Sequence, residues 1–176
     1  RLYESGKITY MRTDSVNLST LCIDSCRKVI GESMGEEYVK SRQYTQKTKG
    51  AQEAHEAIRP TYMDNQTIDG TAPEKRLYEL IWKRTIASQM ADAEIEKTTV
   101  SITSPKIEGE FTVSGETINF DGFLRVYRES RDDDAVEPQE IQGLPGFTKG
   151  QVLDFNQISA YERFTQHPQR FNEAAL

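Results

Sequence analysis

The sequence predicts an α+β fold, in which a mainly helical domain at residues 1–93 is followed by a smaller all-β segment at 94–165. Two observations support this order. Before residue 93, apolar residues recur at helical spacing in two stretches, each preceded by a residue that commonly caps helices. After residue 93, polar and apolar residues alternate in short runs separated by glycines, a pattern typical of strands.

The composition indicates a small core with much exposed surface. Of 176 residues, 36% are hydrophobic, which is a low share, and 28% are charged. The sequence contains no signal peptide and no apolar run near the ~20 residues that a membrane span needs, so we expect no membrane partner. The chain starts at Arg1 without a methionine, and we expect it to be an excised piece of a larger soluble protein.

The net charge of −6 argues against a protein that simply coats DNA, because that affinity comes from Lys and Arg neutralising phosphates. The charge is uneven, however. The acidic run between residues 129 and 140 is interpreted as a solvated loop. A basic strip between residues 40 and 52 contains no acid and suits a confined groove for a nucleic-acid strand; its cations are Lys40, Arg42, Lys47 and Lys49.

The first 35 residues are predicted to contain the end of one helix and the whole of another. Arg1–Ser5 is typical of a helix end closed by Gly6, and Lys7–Arg12 of a short extended segment. Ser19 is predicted to be the N-cap of the next helix, with Leu18 placed to pack on Ile23. Gly35 is predicted to end this helix, and its apolar positions follow helical spacing: Cys22, Ile23, Cys26, Val29 and Ile30.

Residues 38–51 have few apolar side chains and no clear period, which predicts a long basic loop. Tyr44 in this loop has two interpretations, stacking on an unpaired base or packing on the core, of which the core is slightly favoured. One or two helical turns are predicted at Glu53–Ile58. Pro60 disfavours helical geometry at Arg59, so the chain is expected to straighten there.

A capping box with proline in the first turn, Thr71–Glu74, predicts a further helix start. This helix has a broad apolar stripe, which we assign to the core with Trp82 central to its packing: Leu77, Tyr78, Leu80, Ile81, Trp82, Ile86, Ala87 and Met90. Strands are predicted in four places beyond residue 94: Thr98–Thr103, Glu110–Ser114, Phe123–Tyr127 and Gln151–Ile158.

The two cysteines, Cys22 and Cys26, lie four residues apart on a predicted helix and therefore share a face. A zinc site needs about four ligands, and the two histidines, His55 and His167, are distant in sequence. We interpret the cysteines as small apolar core residues in a reducing, cytosolic compartment.

The stretch ITYMRTDS, at residues 8–15, indicates a specific chemistry. In an extended segment alternate side chains share a face, which would place Tyr10 and Arg12 together. Tyrosine is a weak nucleophile while protonated, and a neighbouring guanidinium favours its ionised form. The guanidinium can also bind two phosphate oxygens and stabilise charge during in-line attack, so the implied target is a phosphodiester. From spacing alone, a packed ring beside a solvated arginine remains an alternative.

This stretch, followed by Asn17-Leu18-Ser19, resembles the active-site segment of type IA DNA topoisomerases. A second string, AQEAHEAIRPT at 51–61, resembles the other signature of that family in this region. Looser similarity at LYELIW (77–82), FDGF (120–123) and PQRFNEAAL (168–176) extends the resemblance over nearly the whole chain. Met11 favours the bacterial topoisomerase I branch, because the topoisomerase III branch usually carries proline there; reverse gyrase also tends to carry methionine.

The resemblance implies roles for the residues of the first motif. Tyr10 would attack one DNA strand to form a 5′-phosphotyrosine, and Arg12 would neutralise the phosphate. Thr13 and Ser15 would position DNA or neighbouring loops, whereas Asp14 is interpreted as structural.

In the second motif, the histidine that matches His55 lies near the reactive tyrosine in the family and assists DNA engagement. The resemblance implies the same role for His55 and a DNA contact for Arg59. From the basic strip, we expect Lys47 and Lys49 to bind DNA as well.

The resemblance also implies a reaction. Such enzymes cleave one strand of underwound DNA, pass the other strand through the gap and religate, which relaxes negative supercoils without ATP. The expected partners are the single-stranded segment of the DNA and the remaining domains of the same polypeptide, in the cytoplasm at the nucleoid. Residues 94–165 would form half of an arch, and 166–176 the truncated start of a further DNA-binding domain.

In that family, the acidic cluster that binds Mg²⁺ and the general acid–base residues belong to another domain, and no matching carboxylate motif occurs in this sequence. The consecutive acids Asp132–Asp134 cannot all converge on one ion. We therefore expect Mg²⁺ in the full-length enzyme, no metal site in this chain, and no DNA cleavage by this chain alone.

Two other classes of function stay open from sequence. The chain could be a non-enzymatic module that binds single-stranded nucleic acid through its basic strip and nearby aromatic residues. It could also be a structural or interaction domain that uses the acidic run as its partner surface.

Overall fold

A computed structural model describes residues 1–44, 55–128 and 143–165. Its helices and strands confirm the α+β class. The elements are α1 (Thr20–Ser33), a 3-10 helix (Glu36–Tyr38), α2 (Ala72–Ser88), β1 (Glu94–Thr103), β2 (Glu110–Phe120) and a second 3-10 helix (Gly122–Arg125).

The chain divides into two compact units, Arg1–Leu144 and Pro145–Leu176, and every element above lies in the first. The change from helix to strand falls at residue 94, where the sequence pattern changes. The predicted domain boundaries at 93/94 and 165/166 stay predictions. None of the described helices is long and apolar enough to cross a membrane.

The chain begins with the predicted helix end. The N–H of Ser5 donates to the Arg1 carbonyl, and the N–H groups of Gly6 and Lys7 donate to the carbonyls of Tyr3 and Leu2. The bonds from Gly6 and Lys7 form the Schellman arrangement. This arrangement requires a residue with left-handed backbone geometry at its centre. Gly6 supplies it, with φ at +68°.

Helix α1 begins where the sequence predicts. The Ser19 hydroxyl accepts the Cys22 N–H at 3.3 Å, which confirms Ser19 as the N-cap. The predicted apolar face is buried at Cys22, Cys26, Val29 and Ile30, while Ile23 is partly buried against the same core. The helix ends at Ser33, and Gly35 follows with φ at +116°.

Helix α2 begins at the predicted capping box, in which the Glu74 carboxylate accepts the Thr71 N–H at 2.8 Å. Its buried face is narrower than predicted and contains Tyr78, Trp82, Thr85, Ile86 and Ala87. Leu77 and Leu80 are each 50% exposed, so their assignment to the core was wrong. Residues at i, i+4, i+7 and i+8 face the core, and the two leucines lie beside that face.

Two aromatic residues of α2 connect the helix to the loop that precedes it. The Trp82 indole N–H donates to the Met63 carbonyl at 2.9 Å, and the Tyr78 hydroxyl donates to the Asn65 carbonyl at 2.7 Å. Both side chains are almost fully buried, so these polar groups would be costly without partners. Trp82 is therefore as central to the packing as the sequence predicts.

Strands β1 and β2 form an antiparallel ribbon that contains both of the first two predicted strands. The register pairs Thr103 with Glu110 at the tip and continues to Glu94 and Phe120 at the base. Most residues on both faces are exposed. At the base, buried Tyr38 packs its ring 4.8 Å from Phe120, and its hydroxyl bonds to Asp121 and Arg125 at 2.7 Å each.

The other two predicted strands are wrong. The first of them, Phe123–Tyr127, coincides with the second 3-10 helix, which Gly122 starts with φ at +47°. A side chain at Gly122 would meet the carbonyl oxygens of Ala91 and Asp92 at 2.6 and 2.5 Å, so the turn there needs glycine. Residues 151–158 have strand-like alternation but form no ladder in the described part of the chain.

Replacing Trp82 by Phe should lower the free energy of unfolding by about 2–4 kcal/mol, because it removes buried ring volume and leaves the Met63 carbonyl without its donor. Urea denaturation measures this change. Leu77→Ala, on the exposed side of the same helix, is the control and should cost less than about 1 kcal/mol. Equal losses in the two variants would contradict this account of the core.

Candidate active site

The two sequence motifs lie against each other through backbone pairing. Ile8 and Pro60 form an antiparallel bridge, and the Thr61 N–H donates to the Lys7 carbonyl at 3.0 Å. The Thr9 N–H donates to the Arg59 carbonyl at 2.9 Å. The chain therefore straightens at Arg59 and Pro60, as predicted, and places the residue before Tyr10 directly on the second motif.

The Thr9 side chain completes this junction. Its hydroxyl donates to the Ala57 carbonyl at 2.8 Å and accepts the Arg59 N–H at 2.9 Å. On the far side, the Ala57 N–H donates to the Asn17 carbonyl at 2.8 Å. The predicted helical turn at Glu53–Ile58 was wrong for its described residues, because 55–58 is irregular and is held by these bonds to the first motif.

Tyr10 lies in a row of three rings. Its ring centroid is 5.3 Å from that of Tyr3, edge to face, and 5.4 Å from that of His55, with the two planes tilted by 38°. Tyr10 is 36% exposed and Tyr3 is 43% exposed, so the row lies open at the surface. The structure thus brings Tyr10 and His55 together, as the resemblance implies.

Tyr3 was missed by the sequence analysis. It lies in the turn before Gly6, and the direction of the chain after that turn depends on the left-handed backbone of the glycine. Spacing along the sequence cannot show that residues on the two sides of such a turn meet. The sequence does contain one signal for this contact. Gly6 predicts a turn just before ITYMRTDS, and such a turn can bring Tyr3 back towards that stretch.

Arg12 is exposed, and its guanidinium forms no ion pair within the described ranges. The predicted extended segment Lys7–Arg12 is reduced to a single bridge at Ile8, and the chain beyond Thr9 has no regular structure up to α1. Arg12 is therefore available to a ligand, while the predicted common face with Tyr10 stays a prediction.

Thr13 and Ser15 shape the backbone that leads into α1. The Thr13 hydroxyl accepts the Ser15 N–H at 3.0 Å, and the Ser15 hydroxyl accepts the Asn17 N–H at 3.1 Å. Each bond spans two residues, the usual pattern of a hydroxyl that supports a turn. Both hydroxyls keep a proton that a phosphate oxygen can accept.

Arg59 is engaged within the protein instead of being open to DNA. Its Nε and Nη2 donate to the two carboxylate oxygens of Glu56 at 2.9 and 2.8 Å. Its Nη1 donates to the carbonyls of Pro60 and Thr61 at 2.8 and 3.3 Å. With 12% of its side chain exposed, Arg59 acts as a structural group, and its predicted DNA contact is not favoured by this geometry.

The Glu56 carboxylate also accepts the backbone N–H of Ser19 at 2.7 Å. Burial raises the pKa of this carboxyl group, but hydrogen bonds from Arg59 and Ser19 outweigh burial, and the pKa lies below its ordinary value. Glu56 thus joins the second motif to the N-terminus of α1 in its ionised form.

The basic strip is partly neutralised inside the protein. Lys40 and Arg42 both pair with Asp92, which depresses the pKa of that carboxyl group. The buried Gln89 side chain accepts the Arg42 N–H at 2.9 Å and donates to its carbonyl at 3.0 Å. These two cations fix the chain against the end of α2, whereas Lys47 and Lys49 lie outside the described residues.

Tyr44, the aromatic residue of this strip, is exposed instead of packed in the core. It is 40% exposed, and its hydroxyl donates to the Ser88 carbonyl at 3.2 Å. The slightly favoured core assignment was therefore wrong. Stacking on a base stays a prediction.

The cysteines are both buried free thiols, in agreement with their assignment to the core. A hydrogen bond with Cys26 lowers the pKa of Cys22, whereas the same bond, together with burial, raises that of Cys26. Within the described ranges, no three His, Cys, Asp or Glu side chains are placed to hold a metal ion. The Asp132–Asp134 run lies outside those ranges.

The arrangement of these groups suits attack on an extended phosphodiester. An accessible phenol lies at the surface beside an imidazole, and two residues away along the same loop is an exposed guanidinium that forms no ion pair among the described residues. The loop is fixed at one end by the second motif and at the other by the N-terminus of α1.

Glu56 should make folding stability depend on pH. Because its folded-state pKa is depressed, its contribution is full above the unfolded value of about 4.3 and is lost as pH falls through the lower folded-state value. The difference in unfolding free energy between the parent protein and Glu56→Gln should therefore be largest near pH 7 and shrink below about pH 4.5.

Urea titrations from pH 7 to pH 3 measure this difference. Other carboxylates with depressed pKa values, such as Asp92, affect both proteins equally and cancel. A difference that stayed constant over this range would contradict the ionic role of Glu56.

Comparison with known proteins agrees with both motifs. A family model described as DNA topoisomerase matches residues 1–176. DNA topoisomerase 1 of Mycolicibacterium smegmatis is 47% identical over 190 residues, covering 100% of this chain and 20% of that protein. DNA topoisomerase 1 of Zymomonas mobilis is 44% identical over 180 residues, covering 99% of this chain and 15% of that protein.

Among solved structures, full-length topoisomerase I from Thermotoga maritima matches with a TM-score of 0.59 and 35% identity. The match covers 76% of this chain and 21% of that one. This chain therefore spans about a fifth or less of the relatives named here. Since the family model matches its whole length, the chain belongs to the DNA topoisomerase family.

Proposed function

We propose that this chain is the tyrosine-bearing part of a type IA topoisomerase, in which Tyr10 transiently cleaves one DNA strand and the longer protein relaxes negative supercoils without ATP. The observation that carries the proposal is the position of Tyr10. Its ring is exposed between Tyr3 and His55, on a loop that bonds to the second motif.

In the proposed reaction, the Tyr10 oxygen attacks the phosphorus of a backbone phosphodiester. A bond from the phenol oxygen to phosphorus forms, the bond from phosphorus to the 3′-oxygen breaks, and the phenol proton is transferred in net to the departing 3′-oxygen. The products are a 5′-phosphotyrosine and a 3′-hydroxyl. Since one phosphodiester replaces another, the hydroxyl can reverse the attack after strand passage without ATP.

Arg12 is proposed to bind the attacked phosphate. Its guanidinium is exposed and carries no intramolecular ion pair among the described residues, so two of its N–H groups can bind two phosphate oxygens. In that position it would stabilise the charge that develops on the phosphoryl oxygens. A strongly paired arginine such as Arg59 is not available for this role.

His55 is proposed to contact the DNA phosphate beside Tyr10, because its imidazole is half-buried with the ring packed against the nucleophile. Thr13 and Ser15 have hydroxyl protons free to donate to the strand that approaches Tyr10. Lys47 and Lys49 are proposed to contribute phosphate contacts farther along that strand.

The partners we propose are the single-stranded segment of underwound DNA and the remaining domains of the same polypeptide, in the cytoplasm at the nucleoid. The described residues do not offer a ligand set that fits Mg²⁺. We propose that the ion is held by another part of the longer protein. The proposed roles of Tyr10, Arg12 and His55 do not require this chain to bind it. Because the ion would be held elsewhere, we expect no cleavage by this chain alone.

Tyr10→Phe in the full-length protein should abolish covalent adducts with a 3′-labelled single-stranded oligonucleotide and leave its binding within about twofold, because one oxygen is lost while the ring contacts remain. Denaturing gels measure the adduct, and fluorescence anisotropy measures binding. Tyr62→Phe, at a ring that is 67% exposed, is the control. If the parent protein forms no adduct, a non-enzymatic binding module is the better description.

Arg12→Ala should slow adduct formation by about 10²–10³-fold, the range found when one group that stabilises a charged transition state is removed. Arg12→Lys should recover part of this loss, since it restores the charge without the two-point geometry. Single-turnover kinetics with saturating oligonucleotide give the rates. The control is Arg27→Ala, which removes an exposed arginine from α1; comparable slowing there would contradict the role of Arg12.

A further inference from the structure

The segment that carries His55 has no regular structure to keep it in place. Residues 55–59 belong to neither helix nor strand, and the first regular pairing is the bridge at Pro60. Yet His55 packs at 5.4 Å on the ring of Tyr10. The contact therefore depends on individual hydrogen bonds, from backbone and side chains, within and around this segment.

Glu56, the next residue, has a bonding partner on each carboxylate oxygen. Oε1 accepts the Ser19 N–H at 2.7 Å and the Arg59 Nε–H at 2.9 Å, while Oε2 accepts from Arg59 Nη2 at 2.8 Å. Ser19 is the N-cap of α1. One side chain thus connects the His55 segment to the N-cap of the helix that ends the Tyr10 loop.

Arg59 completes a closed turn. While two of its nitrogens bind Glu56, the third donates to the carbonyls of Pro60 and Thr61, one to two residues farther along. A planar guanidinium with this many fixed acceptors allows little rotation of the turn. The Thr9 hydroxyl bonds to the backbone of Ala57 and Arg59 in this turn. Thr9 itself lies one residue before Tyr10.

This ion pair is more enclosed than the others in the described part of the chain. Side-chain exposure is 12% for Arg59 and 25% for Glu56, whereas the Lys83–Glu79 pair on α2 has 42% and 53%. Charges that are shielded from water depend on each other, so loss of one leaves the other poorly compensated. An enclosed pair is also better able to fix one geometry than a solvated pair, which exchanges its partners with water.

We propose that Glu56 is a positioning residue for the reaction at Tyr10. Together with Arg59, it holds the His55 segment and the Tyr10 loop in one arrangement, and it does not itself exchange a proton with the substrate. Both of its oxygens are occupied and its charge is neutralised by Arg59, so it is unsuited to act as a general base. The inference rests on the proposed function of Tyr10.

The test uses Glu56→Gln in the full-length protein. The amide has the size of the carboxylate and keeps one oxygen for the Ser19 N–H, but it cannot bind the guanidinium at two points as an anion. Single-turnover adduct formation with a 3′-labelled single-stranded oligonucleotide is measured well below the melting temperature of the variant, where circular dichroism shows it to be folded. We expect the rate at saturating oligonucleotide to fall by about tenfold or more, because misplacement of reacting groups is costly.

Binding is measured separately from cleavage by comparing Tyr10→Phe with the double variant Tyr10→Phe/Glu56→Gln. We expect their Kd values for the same oligonucleotide to agree within about threefold, because the Glu56 carboxylate is paired with Arg59 and bonded to the Ser19 N–H, so it offers no group to the strand. Glu79→Gln is the matched control, since it removes a glutamate from an exposed ion pair on α2 and should leave the rate unchanged.

Arg59→Lys supplies a second variant in case Glu56→Gln does not fold. It keeps the positive charge and removes the two-point contact, so positioning predicts a slower rate with an unchanged Kd in the Tyr10→Phe background. A weaker Kd with an unchanged rate at saturation would instead make Arg59 a DNA contact and overturn the inference.

A Glu56→Gln rate within about twofold of the parent, or a loss that merely follows the unfolded fraction, would also overturn it. These outcomes differ from failure of the proposed function. That failure appears as no adduct in the parent protein, or as an adduct that persists in Tyr10→Phe.

Discussion

The candidate site depends on the junction between two segments that lie about fifty residues apart in sequence. Ile8 pairs with Pro60, the Thr9 N–H donates to the Arg59 carbonyl, and the Thr9 hydroxyl bonds to both Ala57 and Arg59. Neither segment has enough local hydrogen bonding to keep its own shape. Because Tyr10 follows Thr9 and His55 precedes Ala57, the geometry of the reacting groups follows from these few bonds and from the Glu56–Arg59 ion pair behind them.

The parts of this fold that the sequence predicts are those with local causes. The N-cap at Ser19, the left-handed Gly6 and the Thr71–Glu74 box each act within a few residues, so their signals appear directly in the sequence. The errors arise where distant contacts decide. Leu77 and Leu80 are as apolar as their buried neighbours, and only the position of the core shows that they lie outside it.

The same reasoning separates the predicted from the unpredicted parts of the site. The motif strings identify Tyr10 and His55, which indeed pack together. The resemblance implies a DNA contact for Arg59, and this contact stays a prediction, but the structure pairs the guanidinium with an acid. Its partner Glu56 is three residues away, but the bond from Glu56 to Ser19 spans 37 residues, and no local pattern indicates it. Similarly, the sequence pattern indicates Lys40 and Arg42 as cations for a nucleic-acid strand, and only the fold shows that Asp92 pairs with both.

Under the proposed function, these internal pairings would let a protein with a net charge of −6 direct a phosphodiester to one tyrosine. Cations that are paired with Glu56 or Asp92 add little attraction for a distant polyanion, whereas Arg12 is exposed and forms no ion pair among the described residues. The Tyr10 hydroxyl likewise forms no hydrogen bond with the described residues, so no intramolecular bond must break before attack. The rings of Tyr3 and His55 pack beside the Tyr10 ring and limit its movement, while the phenol oxygen stays open to a substrate. Under the proposed function, activation of the oxygen would be left to the arriving phosphate and its cations, which would tie cleavage to the presence of a correctly placed strand.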